Sequence, residues 1–565
     1  MSRRNARSST IREGLRYVIR RAQNLVRMFG LNALAIASFA LLALSPLTWL
    51  GFVIGAAALA IAWYRNRTAG LGKAVAARIL VTCGLLAAYV PELEDGNDYG
   101  LLVAAALLVM LIMHESMIRR VVSSAQFSIA NLPGFATRKG AFADPQIVFH
   151  ANTGMIVLLG AFAVPRLPSW PLMLVSIALV LGVGALLLDA RHLRNRSEQT
   201  WAELGKALEA YGPAFAVYFS GPLGVLYQFE MWLPYFERLG KPFVVVLRET
   251  HAFDTITDLT SAPVVVCHSI ASLDNVAVEG LNAAFYVNNG MKNSQFVRLR
   301  HLTHIQLLHG DSDKPPSFNP VTGMYDRIFV AGQAGIDRYR KHGIQIPESK
   351  FDIVGRPQVE TIRVTERSAD DSDHKVVLYA PTWRGYSEDV NYCSLPVGKK
   401  LLGKLLERDT TIILRAHPFT SKDPASARQL STLQQMLAAD AQKTGRKHLF
   451  GAAATTEIGI VECFNRADVL VSDVSSVVSD FLFSEKPFAI TDMVDERGEF
   501  TDSFPLARAA YVLRRNLSNV DDVLDNLLKT DPLGQVRREA RSYYLGDFPA
   551  DTYADGFIRG ARRYL

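Results

Sequence analysis

From Leu31 to Tyr64 the chain runs 34 residues without a charged side chain. A single helix of that length would measure about 51 Å, too long for a hydrocarbon core of about 30 Å. The interruption at Ser45-Pro46 divides it into a hairpin, residues 31–45 and 48–64. Further apolar runs follow at Val75–Val90, Tyr99–His114, Thr153–Val164 and Trp170–Leu188. Uncharged runs this dense, with little between them, predict an α-helical membrane domain over 31–189 with about six helices. A mean hydropathy of +0.12 agrees and excludes a disordered chain. Beyond His114 the spans are read as free of embedded charge, so no transport path is indicated.

The net charge of +7 is concentrated at the start, where residues 1–30 hold eight arginines against Glu13 alone. The rest is neutral overall, which argues against a nucleic-acid surface and makes 1–30 a basic cytoplasmic arm. The joints 65–74, 115–150 and 191–196 are basic, whereas 91–98 is acidic. Six spans put every basic joint on one side. The expected location is therefore the plasma membrane, multi-pass, with the remaining domains facing the cytoplasm. An arm of this length followed by repeated apolar runs does not read as a cleaved signal peptide. Cys83, Cys267, Cys393 and Cys463 have no paired spacing, so neither a disulfide framework nor a cysteine zinc site is expected.

From about residue 197, short β-branched runs alternate with helical stretches: Phe215–Phe219, Phe243–Leu247, Val264–Cys267, Ala284–Val287, Ile305–Leu308, Ile328–Val330, Lys375–Tyr379, Thr411–Leu414, Val469–Val471 and Pro487–Thr491. Continuous apolar strands between helices imply parallel sheets covered on both faces. The polar segment Thr365–His374 separates two such α/β domains, 197–364 and 375–565, facing each other across a cleft.

Ligands of open parallel sheets sit beyond the carboxyl ends of strands. Four ends carry chemistry. In Leu308-His309-Gly310-Asp311-Ser312-Asp313-Lys314, the imidazole suits a general base, Gly310 permits close backbone approach, and Lys314 offers a charge for an anion. In Tyr379-Ala380-Pro381-Thr382-Trp383-Arg384, the Thr382 hydroxyl and Arg384 guanidinium suit phosphate oxygens. In Leu414-Arg415-Ala416-His417, alternation along the strand would place Arg415 and His417 on one face. In Ser472-Asp473-Val474-Ser475-Ser476, a helix N-terminus with Ser475 and Ser476 would hold a diphosphate, with Asp473 capping or holding a hydroxyl. No metal site and no cofactor is assigned, although Asp311 and Asp313 are candidate ligands for a divalent cation.

Together these motifs resemble the CDP-glycerol glycerophosphotransferase family, the bacterial teichoic-acid primases and polymerases, over about residues 290–500. Val354-Gly355-Arg356-Pro357 is similar to a further turn of that family. The resemblance implies a GT-B-like pair of Rossmann-like domains, the first binding acceptor and the second nucleotide. It also implies attack of an acceptor hydroxyl on the β-phosphate of CDP-glycerol with release of CMP. By the same carry-over His309 is the base on the acceptor side, and His417, Arg415 and Arg384 attend the phosphates. Thr382, Ser475 and Ser476 complete the cradle. The family continues Thr-Pro-Leu-Lys after His-Gly, where this chain has Asp311-Ser312-Asp313 before Lys314.

The expected function is thus a membrane-anchored transferase moving glycerol phosphate, or a related polyol phosphate, onto a lipid-linked polyol-phosphate or glycan acceptor. A glycosyltransferase using a nucleotide sugar is the enzymatic alternative on the same scaffold. A non-catalytic nucleotide sensor or scaffold is the alternative from another class, and the pairing of His309 with Arg415 and His417 counts against it.

Overall fold

The computed structural model describes residues 29–66, 74–94, 99–135, 137, 146–364, 374–385, 391–494 and 500–565. Residues 1–28 of the basic arm, Arg67, Lys73, Arg138 and Lys139 of the joints, and Asp371 and Asp373 of the linker lie outside the described residues. The chain divides into two units, one comprising 1–128 and 136–203, the other 129–135 and 204–565.

Apolar helices build the first unit. Phe29–Leu44, Thr48–Asn66, Val75–Ala88 and Ile147–Ala163 accompany two longer ones, Gly100–Ala125 and Trp170–Tyr211. Those last two are long and apolar enough to cross a membrane. The helices pack around Leu42, Leu59, Leu85, Leu108 and Ile156. Small residues let their backbones approach: a side chain at Gly84 would meet Phe39 Cα at 3.0 Å. Several helices outrun the apolar stretches that announced them, because their polar ends continue the helical spacing.

The expectation of uncharged spans is corrected by Arg78, which lies within the run Val75–Val90. It is fully buried and its Nη1 donates to Glu115 Oε2 at 2.8 Å. Asn152 Nδ2 adds a bond to the same oxygen at 3.3 Å, and the guanidinium lies 4.5 Å from the Phe149 ring centre. A buried charge persists only when paired. Arg78→Ala strands Glu115 and is expected to cost about 3–5 kcal/mol, read as a lower unfolding temperature in detergent. The double variant R78M/E115Q is expected to recover most of it. An unchanged melting temperature in R78A would contradict the pairing.

In the second unit, eight strands form one sheet: β1 (Ile129–Ala130), β2 (Phe215–Phe219), β3 (Phe243–Leu247), β4 (Val264–Val266), β5 (Ala283–Tyr286), β6 (Thr303–Gln306), β7 (Arg327–Val330) and β8 (Phe351–Ile353). Their order is β1-β4-β3-β2-β5-β6-β7-β8, all parallel except β1, which pairs antiparallel with β4. Five more, β9 (Val376–Ala380), β10 (Thr411–Leu414), β11 (Val469–Ser472), β12 (Phe488–Asp492) and β13 (Tyr511–Arg514), form a parallel sheet in the order β10-β9-β11-β12-β13. Both sheets are apolar on both faces, as their β-branched runs require.

Two boundaries are corrected. β1 comes from the 115–150 joint, yet it extends the first sheet through the pairs Ile129↔Val265 and Ala130↔Val264. The end of 375–565 does not stay with the second sheet. Helix Asp555–Arg562 returns Phe557, Ile558 and Ala561 to the core of the first.

Candidate active site

Chain order reverses within each sheet, between β2 and β5 in the first and between β9 and β11 in the second. The crevice at such a switch point is where open α/β sheets bind ligands. At the second one, Asp473 is fully buried just past β11. Its Oδ2 accepts the backbone N–H of Thr382 at 2.7 Å and of Ser394 at 3.1 Å, and Oδ1 accepts the Thr491 hydroxyl. Burial pushes its pKa up against these donors. Asp473 therefore fixes the loop after β9 and places the Thr382 hydroxyl, which is a more definite task than capping a helix.

From the first domain, Lys314 reaches that loop, with Nζ 3.3 Å from Thr382 Oγ1 and 5.3 Å from the Tyr392 ring centre. Burial lowers its pKa to about 8, with Asp473 acting in the opposite direction. Gly310 is held just as close: a side chain there would meet Ser476 Cβ at 3.2 Å. His309 precedes it, delivered by Leu308 in the left-handed region at φ 56°. That conformation is uncommon for a leucine. It is held by the Leu308 N–H bonded to Gln306 Oε1 at 3.2 Å and by the Trp232 indole donating to Leu308 O at 2.7 Å. The His309 Nδ1 is enclosed without a hydrogen-bond partner among the described residues. Burial, and then Arg356, lower the His309 pKa to about 4.

His417 joins the same cluster by charge, since burial, Lys314 and Lys422 together lower its pKa to about 4. Its Nδ1 accepts the Phe419 N–H at 3.1 Å, so the neutral ring carries its proton on Nε2 and can donate from there. Trp383 stacks on it at 6.0 Å.

Arg415 turns elsewhere. β10 ends at Leu414, so strand alternation does not extend to Arg415 and His417. The Arg415 guanidinium is spent on the carbonyls of Ala454, Thr455 and Ile458, the last at 2.7 Å. Arg384 pairs with Asp423 at 3.2 Å. Ser475 caps the helix Ser476–Phe481 by accepting the Val477 N–H at 3.4 Å. Asp311 and Asp313 both pair with Arg338, Asp313 at 3.2 Å from Nε, and Leu506 N–H donates to Asp313 at 3.3 Å. The carboxylates read as cation ligands are thus neutralised by an arginine, and no group of three metal-ligating side chains occurs among the described residues.

Residues 350–509 match the family described as CDP-glycerol:poly(glycerophosphate) glycerophosphotransferase. That stretch, a little over a quarter of the chain, is what carries the similarity to this family. The matched segment holds Thr382, Arg384, Arg415, His417, Asp473, Ser475 and Ser476, whereas His309, Gly310 and Lys314 precede it. Among solved structures the chain is similar to the wall teichoic acid polymerase TagF, at 17% identity over 66% of this chain and 96% of that one, with a TM-score of 0.40. It is also similar to a glycosyltransferase from Rickettsia africae, at 11% identity over 62% and 97%, with a TM-score of 0.40. No curated protein sequence matches.

Arg356 is the main residue of this candidate site that the strand ends do not single out. Buried in the turn after β8, it grips Asp480 of the second domain through Nε and, at 3.1 Å, through Nη2. The same Nη2 donates to the His309 carbonyl at 3.3 Å. Gly355 before it has φ 76°, and a side chain there would meet the Tyr553 ring at 3.2 Å, a conformation and a gap that favour glycine. An arginine bracketed by Gly355 and Pro357 beside a sheet edge was the available signal.

The titrating groups predict a pH profile. His309 and His417 stay neutral above about pH 4, and Lys314 stays charged below about pH 8. kcat/KM, which reports the free enzyme, is expected to be level between those limits. It should fall on the basic side as Lys314 deprotonates, and Lys314→Arg should move that limb upward. A basic limb unmoved in K314R would contradict the assignment.

Proposed function

We propose that the chain transfers glycerol phosphate, or a related polyol phosphate, from a CDP-activated donor to a hydroxyl of a lipid-linked cell-envelope acceptor. The observation that carries this reading is the convergence of Lys314, from the first domain, on Thr382 in the family-matched segment, with His309-Gly310 against Ser476. In the proposed step His309 takes the proton of the acceptor hydroxyl, and the oxygen attacks the β-phosphorus. The bond from that phosphorus to the bridging oxygen breaks, and CMP leaves with the bridging oxygen. A phosphodiester joins acceptor and glycerol. Lys314 and the Thr382 hydroxyl neutralise charge on the diphosphate, and the His417 Nε2–H donates to it. Cations and donors fixed around an anionic phosphorus address the main cost of this reaction.

We further infer that the helical unit anchors the enzyme in the plasma membrane, with its active site served by cytoplasmic nucleotide. Outward apolar side chains support this reading: Leu44 is 83% exposed, Leu188 68%, Leu181 67% and Met113 66%. Such density of exposed apolar surface is unusual in a chain that lives in water. Tethering enzyme and lipid-linked acceptor to one surface raises their effective concentration.

The test is the nucleotide released by detergent-solubilised protein incubated with CDP-glycerol and a lipid-linked polyol-phosphate acceptor. CMP in step with acceptor extension is expected. Release of a nucleoside diphosphate from a UDP- or GDP-sugar, with CDP-glycerol inert, would favour the glycosyltransferase reading instead.

A further inference from the structure

The switch point of the first sheet, between β2 and β5, carries a cluster that the proposed reaction does not use. Past β3, Glu249 accepts the Ser220 hydroxyl at 3.1 Å and the Gly221 N–H at 3.3 Å, both from the loop after β2. Its Oε1 also accepts Lys292 Nζ at 2.7 Å, from the loop after β5. Past β4, the Nε2 of His268 is enclosed with no hydrogen-bond partner among the described residues. Arg248 is buried beneath them, donating to Ser269 O at 2.9 Å and Gln295 Oε1 at 2.6 Å. Burial first, then Arg248 and Lys292, lower the His268 pKa to about 4, while Glu249 opposes them, so all four groups share one field.

Two cations face one carboxylate here, so the cluster retains positive charge. It is also reachable, because the Lys292 side chain is 43% exposed. Gln306 ties the loop of Lys292 to the loop of His309. At the end of β6, it donates to Asn288 O at 3.0 Å and Asn289 Oδ1 at 3.1 Å beside Lys292, and its Oε1 also accepts the Leu308 N–H. Tyr227, which opens the short helix Tyr227–Glu230 that follows β2, meets the His309 ring edge-on at 6.2 Å. The strand order puts β5 one spacing and β3 three spacings from β6, roughly 5–14 Å across the sheet.

We propose that this cluster is an acceptor subsite that binds the anionic phosphodiester preceding the attacked hydroxyl. Lys292 takes the phosphate, and Glu249 takes a neighbouring polyol hydroxyl. The ligand class rests on the phosphotransfer reading; the site itself rests on the switch-point geometry. The enzyme thereby reads whether its acceptor already carries a polyol phosphate.

The experiment is calorimetric titration of the full-length protein in detergent with a di(glycerol phosphate) oligomer, with CMP present at saturation to fill the donor pocket. Saturable binding is expected, weakened about ten-fold or more in Lys292→Ala, as loss of a charge-assisted contact implies, and restored in Lys292→Arg. Absence of binding to the wild type, or equal binding by K292A, overturns the subsite. CMP release from CDP-glycerol, assayed on the same preparation, separates the two claims. An inert enzyme that still binds the oligomer through Lys292 overturns the reaction and leaves the subsite standing.

Discussion

Replacing His309 by alanine is expected to slow glycerol phosphate transfer by roughly a hundred- to ten-thousand-fold, the range of a lost general base. CDP-glycerol should still bind, since the proposed donor side of the cleft, around Thr382 and Asp473, is held by bonds that His309 takes no part in. The neutral imidazole is what makes the assignment physical. Burial and Arg356 hold His309 unprotonated across the neutral range, so the base form is always present. The strained Leu308, pinned by Trp232, aims the ring without any acidic partner at Nδ1. Kinetics of H309A with saturating donor check this. A variant keeping more than a tenth of wild-type kcat would remove His309 from the chemistry.

Arg356→Ala is expected to be the most damaging change outside the reacting groups. The Arg356 and Asp480 side chains are only 6% and 17% exposed, and breaking a buried pair from one side costs about 3–5 kcal/mol. The same change releases the His309 carbonyl, so transfer should fall together with thermal stability. Arg356→Lys keeps the charge and loses the fork that grips both carboxylate oxygens, so it should rescue little. A double-variant cycle with Asp480→Ala is the check, with a coupling at the upper end of roughly 0.5–3 kcal/mol expected. Additive effects would mean that the two residues act independently.

Much of the α/β architecture was legible because buried parallel strands must be apolar and β-branched on both faces. Val244, Val245 and Val246 can hardly be anything else. β8 (Phe-Asp-Ile) and β13 (Tyr-Val-Leu-Arg) escaped that reading, being short edge strands with charged members and partly exposed burial patterns. The C-terminal helix escaped for a topological reason: sequence order does not tell which core Phe557 will join. Within the site, the strand-end rule located Lys314 and Thr382 but could not show that they meet. It misled at Arg415, where a side-chain period of two was applied past the end of the strand. The switch-point cluster of Glu249, His268 and Lys292 lay at strand ends too, yet only contact geometry reveals that three separate loops bring them together.

The measurement that bears most directly on the central claim uses CDP-glycerol labelled separately in the glycerol and in the β-phosphate, with solubilised enzyme and a lipid-linked polyol-phosphate acceptor. Both labels are predicted to enter the acceptor in equal amounts, with one CMP released per transfer, at a rate lowered roughly a hundred-fold or more in H309A. Glycerol label without β-phosphate, or release of intact nucleoside diphosphate, would contradict attack at the β-phosphorus.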